Sequence, residues 1–232
     1  MLAPAYEWKL DHGLCVGVKL PVEHADEALL DAEKAHAATL GDVRRGAWVG
    51  GRVAMRLAAA RLGLTLPPIL ADDRGAPVLP RDLSGSISHK DHVAVALLRL
   101  DGAGTGGKLG VDVELDRPGK LDISRKVLRE EELELLQGLD EPRRSSEVLL
   151  RFSAKEAIYK ALDPYVRRYV GFTEVSLHVK DDGTALVEAH LSDNEGPFSF
   201  EVRWMRAHGL IVTTAWVARR ASSPRRRASS GP

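Results

Sequence analysis

The sequence predicts an α+β fold made of two similar lobes, each with helices packed on an antiparallel sheet. Helical periodicity is followed by short runs of alternating and β-branched residues, and that order occurs twice along the chain. Helices that precede antiparallel hairpins point to α+β and away from a wound parallel sheet. The 232 residues, 44% apolar and 28% charged, can bury a core without disulfides or metal. The expected division is 1–110 and 111–218, followed by a disordered basic tail at 219–232.

The elements follow in order. Gly13–Leu20 alternates like a strand, and His24–Leu40 has the 3.6-residue period of an amphipathic helix. A second helix spans Gly41–Leu62 and is stopped by Gly63 and the Pro67-Pro68 pair. A turn-rich stretch, ADDRGAPVLPRDLSG, leads into SISH and HVAVALLRL, read as a hairpin bent around Lys90 and Asp91. A glycine-rich loop, read as a hairpin loop, precedes the strand LGVDVEL. Asp122–Leu162 is helical with a break near Asp140–Pro142, and from Gly171 the pattern is strand and turn to the end of HGLIVTTAWVA.

Composition excludes several classes. A single cysteine, Cys15, rules out a disulfide scaffold and suggests a reducing compartment, with the cytoplasm expected. No apolar run approaches the roughly 20 residues of a membrane span, and MLAPAYEWKLDHG lacks the features of a signal peptide. The zero net charge is uneven, because the last fifteen residues hold five arginines and no acid. The rest has 28 bases against 33 acids, which argues against a protein that coats nucleic acid through a broad basic face. The tail reads as a solubilising segment or as an arm for an acidic partner.

Two motifs mislead. In GAGTGGKLG, Gly102, Gly107 and Lys108 have P-loop spacing, but Leu109 stands where magnesium needs Ser or Thr, and a strand follows where the phosphate needs a helix N-terminus. Ser86, Ser88 and His89 in GSISHK do not make a nucleophile elbow, since no glycine closes the turn and no helix follows. His89 and His92, three apart on a strand, point to opposite faces and do not share a zinc.

In GVDVEL, Asp112 and Glu114 are two apart on a strand, so their carboxylates share a face. Two such acids repel unless a cation sits between them, and hard oxygens at that spacing suit Mg²⁺. By the same reasoning, loss of Asp112 should leave the fold intact. Taken alone, the pair is better explained as a solvated strand face, on which alternating acids are common. In RFSAKEAIYKAL, Glu156 and Lys160 are four apart on a helix. They read as a surface ion pair, or as a third metal ligand or base beside a lysine that neutralises charge on a phosphoryl oxygen.

G-V-D-V-E, then about forty residues, then F-S-A-K-E-A-x-x-K resembles the signature of the 4′-phosphopantetheinyl transferases, specifically the Sfp-type family and its enterobactin-synthesis branch. GGR at Gly50–Arg52, RGAPVLP and GSISHK resemble that family's coenzyme A-binding elements in the expected order. The resemblance covers roughly Arg44–Leu162, and the remaining strands fit the family's two-lobed α+β pseudodimer.

The resemblance implies Mg²⁺-dependent transfer of the phosphopantetheine arm of coenzyme A to a serine of an apo acyl or peptidyl carrier protein, releasing 3′,5′-ADP. Asp112, Glu114 and Glu156 would ligate Mg²⁺, and Lys160 would steady the transferred phosphoryl group, with Glu156 or a metal-bound water as base. Arg52 would meet the 3′-phosphate with His89 beside it, while Arg74, Ser86 and Ser88 would line the nucleotide and pyrophosphate. Arg44 and Arg45 are further candidates. Phe152 stands where many members have tryptophan, and Ala76 where some have lysine, which weakens the role of Arg74. A monomer without nucleic-acid or membrane partners is expected. Its carrier would dock on a helix at Ile123–Leu136, through Ile123, Val127 and Leu128 rimmed by Arg125, Lys126 and Arg129. The rival readings are a metal-dependent phosphohydrolase using the same carboxylates on a water, and a non-enzymatic coenzyme A- or carrier-binding module.

Overall fold

The computed structural model describes residues 2–101, 106–117, 122–192 and 194–220. It is α+β, as predicted, with helices packed on two antiparallel sheets. β1 (Tyr6–Leu10), β2 (Gly13–Lys19), β3 (Leu83–Lys90) and β4 (Val93–Leu100) form the first sheet in the order β1-β2-β4-β3. β5 (Lys108–Leu115), β6 (Val175–Val179), β7 (Thr184–Ala189), β8 (Phe198–Ala207) and β9 (Leu210–Arg219) form the second in the order β5-β9-β8-β7-β6.

The near-continuous apolar run of β4 has a simple cause: both of its faces are covered. Ala94, Ala96 and Leu98 pack with α2 (Asp42–Arg61), whose Val53, Ala54, Met55 and Ala58 recur at helical spacing. Val93, Val95 and Leu97 face the other way and join Leu109, Val111, Val113 and Leu115 of β5 in a core shared by the two sheets. Cys15 is buried in the same shared core. α5 (Glu141–Val166) covers the second sheet through Ala154, Ala157, Ile158 and Ala161.

The structure departs from the sequence pattern in several places. β1 was not expected; it is a five-residue edge strand with only one side packed. The helix expected at His24–Leu40 is a 3-10 turn at Ala25–Glu27 and a separate α1 (Asp31–Ala38). The fully buried Glu33 carboxylate accounts for the break, since it accepts from the backbone N–H of Leu30 and Ile69 and from Arg56. The glycine-rich segment does not close a hairpin, because β4 pairs with β2 and β3 while β5 pairs with β9. Gly102 lies outside the described residues.

The helix expected at Ile123–Leu136 is α3 (Ser124–Val127) and α4 (Glu130–Leu135), with an extended Leu128 between them. Val127 and Leu128 are 1% and 2% exposed and pack with Leu136 and Val148, so they offer no apolar docking surface. Arg129 is held by Glu131 and the Thr173 carbonyl. Arg219 belongs to β9, and Arg220 donates from its backbone to the Pro197 carbonyl. The rest of the expected tail, 221–232, lies outside the described residues. No helix among the described residues is long and apolar enough to cross a membrane.

Candidate active site

β5 turns Leu109, Val111, Val113 and Leu115 into the shared core, which sends Asp112 and Glu114 to the opposite face. That face is not open to solvent, for both acids are only 5% exposed. α5 lies against it at backbone distance because position 110 is glycine. A Cβ there would stand 1.8 Å from the Ala157 carbonyl oxygen.

Asp112 is surrounded by donors. Its Oδ1 accepts from Ser88 Oγ at 2.7 Å and from Lys160 Nζ at 2.9 Å, and its Oδ2 accepts from Ser153 Oγ at 2.9 Å. Lys160 also donates to Ser88 Oγ and to the Val111 carbonyl, each at 2.9 Å. Beside them Lys90 Nζ lies 2.7 Å from Glu114 Oε2 and 3.0 Å from Oε1. Ser88-x-Lys90 on β3 thus meets Asp112-x-Glu114 on β5 in matching register. The premise that Asp112 belongs to an uncompensated, repelling pair is therefore corrected: its charge is compensated, and three donors depend on it.

Lys160 spends its charge on Asp112, so the simple Glu156–Lys160 surface pair is not formed. Burial, and after it the Asp112 charge, push the Glu156 carboxyl above the usual carboxylate range, with Lys160 opposing. Burial and Asp112 raise Glu114 as well, while the Lys90 hydrogen bond opposes. Among the described residues no three His, Cys, Asp or Glu side chains are drawn together as a ready metal cluster. Asp112 and Glu114, on one face of β5, are hard oxygen donors of the kind Mg²⁺ takes, and Glu156 lies within reach of the Asp112 charge.

A cleft of about 570 Å³ opens above Lys160 between the two sheets. Arg52, Arg74, Ser86, His89 and Lys160 line it, and of the two further arginine candidates it is Arg44 that does so. Ser88 joins through its bonds to Lys160 and Asp112. Arg52 is 5% exposed; its Nε donates to the Ile69 carbonyl at 3.1 Å, and its Nη2 has no hydrogen-bond partner among the described residues. Burial lowers its pKa to about 10, with the Glu33 charge opposing. His89 is shifted below the ordinary histidine value by burial and then by the Lys160 charge, which favours the neutral ring, with Asp112 opposing. Arg74 spans the cleft to Asp163 on α5, with Nε to Oδ1 and Oδ2 contacts of 2.8 Å. That ion pair raises its pKa still further, so Arg74 reaches the cleft but is already engaged.

Several residues of the site were missed in the sequence. Trp48, four residues before Arg52 on α2, lies under the guanidinium, with Arg52 Cζ 4.0 Å from the ring centroid. The helical spacing could have signalled it. Lys90 could have been found from the matching S-x-K and D-x-E alternation. Ser153, Thr213 and Asp163 had no local signal, because their partners are 41 to 89 residues away.

Two family models match the chain: the 4′-phosphopantetheinyl transferase superfamily over residues 108–215, and the 4′-phosphopantetheinyl transferase N-terminal domain over residues 32–99. The 4′-phosphopantetheinyl transferase Svp of Streptomyces mobaraensis is 34% identical over 196 residues, covering 82% of this chain and 79% of that protein. The 4′-phosphopantetheinyl transferase Npt of Nocardia iowensis is 32% identical over 183 residues, covering 73% of this chain and 81% of that protein. Enterobactin synthase component D of Salmonella austin is 29% identical over 154 residues, covering 66% of this chain and 59% of that protein. With both halves matched in order and a relative at 34% identity along most of its length, the chain is a transferase that belongs to the Sfp-type 4′-phosphopantetheinyl transferases.

Proposed function

We propose that the protein moves the 4′-phosphopantetheine arm of coenzyme A to a serine hydroxyl of an apo acyl or peptidyl carrier protein and releases 3′,5′-ADP. One observation carries the reading: a single cleft brings a buried arginine with a spare N–H group together with a lysine anchored on an acid cluster. Phosphoryl transfer asks a protein chiefly for positioning and for neutralisation of charge, and these groups supply both.

In this reading the serine oxygen attacks the β-phosphorus, the bond from that phosphorus to the 3′,5′-ADP oxygen breaks, and the serine proton leaves to a base. Glu156, or a water held by the cation, would take that proton. Lys160, fixed by three acceptors, holds its positive charge beside the transferred phosphoryl oxygens. Arg52 takes the 3′-phosphate, with His89 lining the same cleft beside it. Arg74, Ser86 and Ser88 line the nucleotide and pyrophosphate. Mg²⁺ would be held by Asp112, Glu114 and Glu156 and would neutralise the pyrophosphate. We further assign the protein to the cytoplasm as a monomer, and we assign it no nucleic-acid or membrane partner.

The test is the mass of a purified apo carrier after incubation with the protein, coenzyme A and Mg²⁺. A gain of one phosphopantetheine is expected. Release of 3′,5′-ADP without a carrier would favour a phosphohydrolase, and coenzyme A binding without turnover, indifferent to Mg²⁺, would favour a binding module.

A further inference from the structure

Two lysines sit on the two acids of β5, and their surroundings differ. Lys160 is held by Asp112, Ser88 and the Val111 carbonyl together, and its side chain is 26% exposed. Lys90 has Glu114 as its sole partner among the described residues and is 40% exposed, while the Glu114 side chain is 7% exposed. Lys90 is the last residue of β3, beside the turn residue Asp91, whose carboxylate is paired with Arg117 at 3.0 Å. Asp91 thus has an ion pair of its own, with Arg117 two residues past the end of β5.

We propose that Lys90 is a resident counter-ion of Glu114 that a divalent cation must displace, so that Lys90 sets the intrinsic cation affinity of the acid pair. The proposal rests on the assignment of these acids as the cation site. A buried carboxylate left without a partner is costly, so with no cation present the ammonium keeps Glu114 compensated. A divalent cation at the same oxygens repels that ammonium at contact range. Lys90 then swings into water, which its exposure and its single partner permit, whereas Lys160 stays with its remaining acceptors. The cost of this exchange weakens cation binding to the free protein. A cation that also gains oxygens from a phosphate-bearing substrate meets that cost more easily, because Mg²⁺ prefers a few carboxylates completed by phosphate and water.

The experiment uses Mn²⁺ as the probe and the full chain without coenzyme A. Free Mn²⁺ is followed by electron paramagnetic resonance in titrations of wild type, Lys90→Met and Lys90→Arg. Lys90→Met keeps the side-chain volume and removes the charge. It should bind Mn²⁺ about ten-fold more tightly than wild type, because one unit charge no longer opposes the ion. Lys90→Arg should stay near wild type. In a Glu114→Gln background, Lys90→Met should lose its effect. Thermal unfolding with and without Mn²⁺ gives a second readout, in which the ion should stabilise Lys90→Met more than wild type. Equal Mn²⁺ affinity in wild type and Lys90→Met would overturn the counter-ion role alone. Absence of Mn²⁺ binding in every protein would overturn the acid pair as a cation site, and the proposal with it.

Discussion

Asp112→Ala separates two pictures of the acid cluster by their opposite effects on stability. If the acids simply repelled one another, removing one would stabilise the fold or leave it unchanged. The structure gives the other sign. Asp112 is 5% exposed and receives Lys160, Ser88 and Ser153. Alanine would leave the Lys160 ammonium without its charged partner and two buried hydroxyls short of an acceptor. Ser153 keeps Thr213 at 2.9 Å, and Lys160 keeps Val111 and Ser88, so the loss is partial. A hydrogen bond to a charged group contributes about 1.5–3 kcal/mol. The neighbouring hydroxyl losses raise the low end, and the 26% exposure of Lys160 limits the top, giving about 2–3 kcal/mol. For a chain of this size that lowers Tm by roughly 4–12 °C. Urea and thermal unfolding of the ligand-free protein measure it. A Tm equal to or above wild type would refute this account of the cluster and restore the repulsion picture.

Arg52→Ala should erase the preference for coenzyme A over dephospho-coenzyme A, a loss of roughly ten- to hundredfold in the ratio of kcat/KM values. An unchanged ratio would remove Arg52 from the 3′-phosphate. Gly110→Ala should give insoluble or strongly destabilised protein, since its methyl would fall 1.8 Å from the Ala157 carbonyl and push α5 off β5. A soluble variant with wild-type Tm would contradict that. His12 is buried between the sheets with Nδ1 2.8 Å from Thr214 Oγ1, and burial first, then Arg203, lowers its pKa from 6.5 to about 4. The fold therefore holds it neutral while the unfolded chain protonates near 6.5, so its contribution is full above that pH and is lost as pH falls toward 4. The loss over that window is about 3 kcal/mol, and His12→Gln should lose correspondingly less stability than wild type on acidification. Parallel pH profiles for the two proteins would refute it.

The family was legible because its motifs depend on short, local spacings. Two acids two apart on a strand share a face, and Glu156 and Lys160 four apart share a helix side, wherever those elements end up. Strong periodicity likewise marked α2 and the β3–β4 hairpin, and β4 is apolar at nearly every position because both of its faces are buried. Elements shaped by a distant partner were not legible: Glu33 breaks a helical run because Arg56 and the Ile69 amide pull its carboxylate inward. Val127 and Leu128 read as a docking patch until Leu136 and Val148 cover them.

The sequence by itself determined the family and which side chains share a face, since side-chain direction follows from local backbone geometry. Only the tertiary structure decided how their charges are balanced. Lys160 turns to Asp112 rather than to Glu156, Lys90 caps Glu114, and Arg74 is taken up by Asp163, each across 24 to 89 residues of chain. Electrostatic partnership is fixed by distance in space and by exclusion of water, and neither is written in the spacing of residues along a strand or a helix.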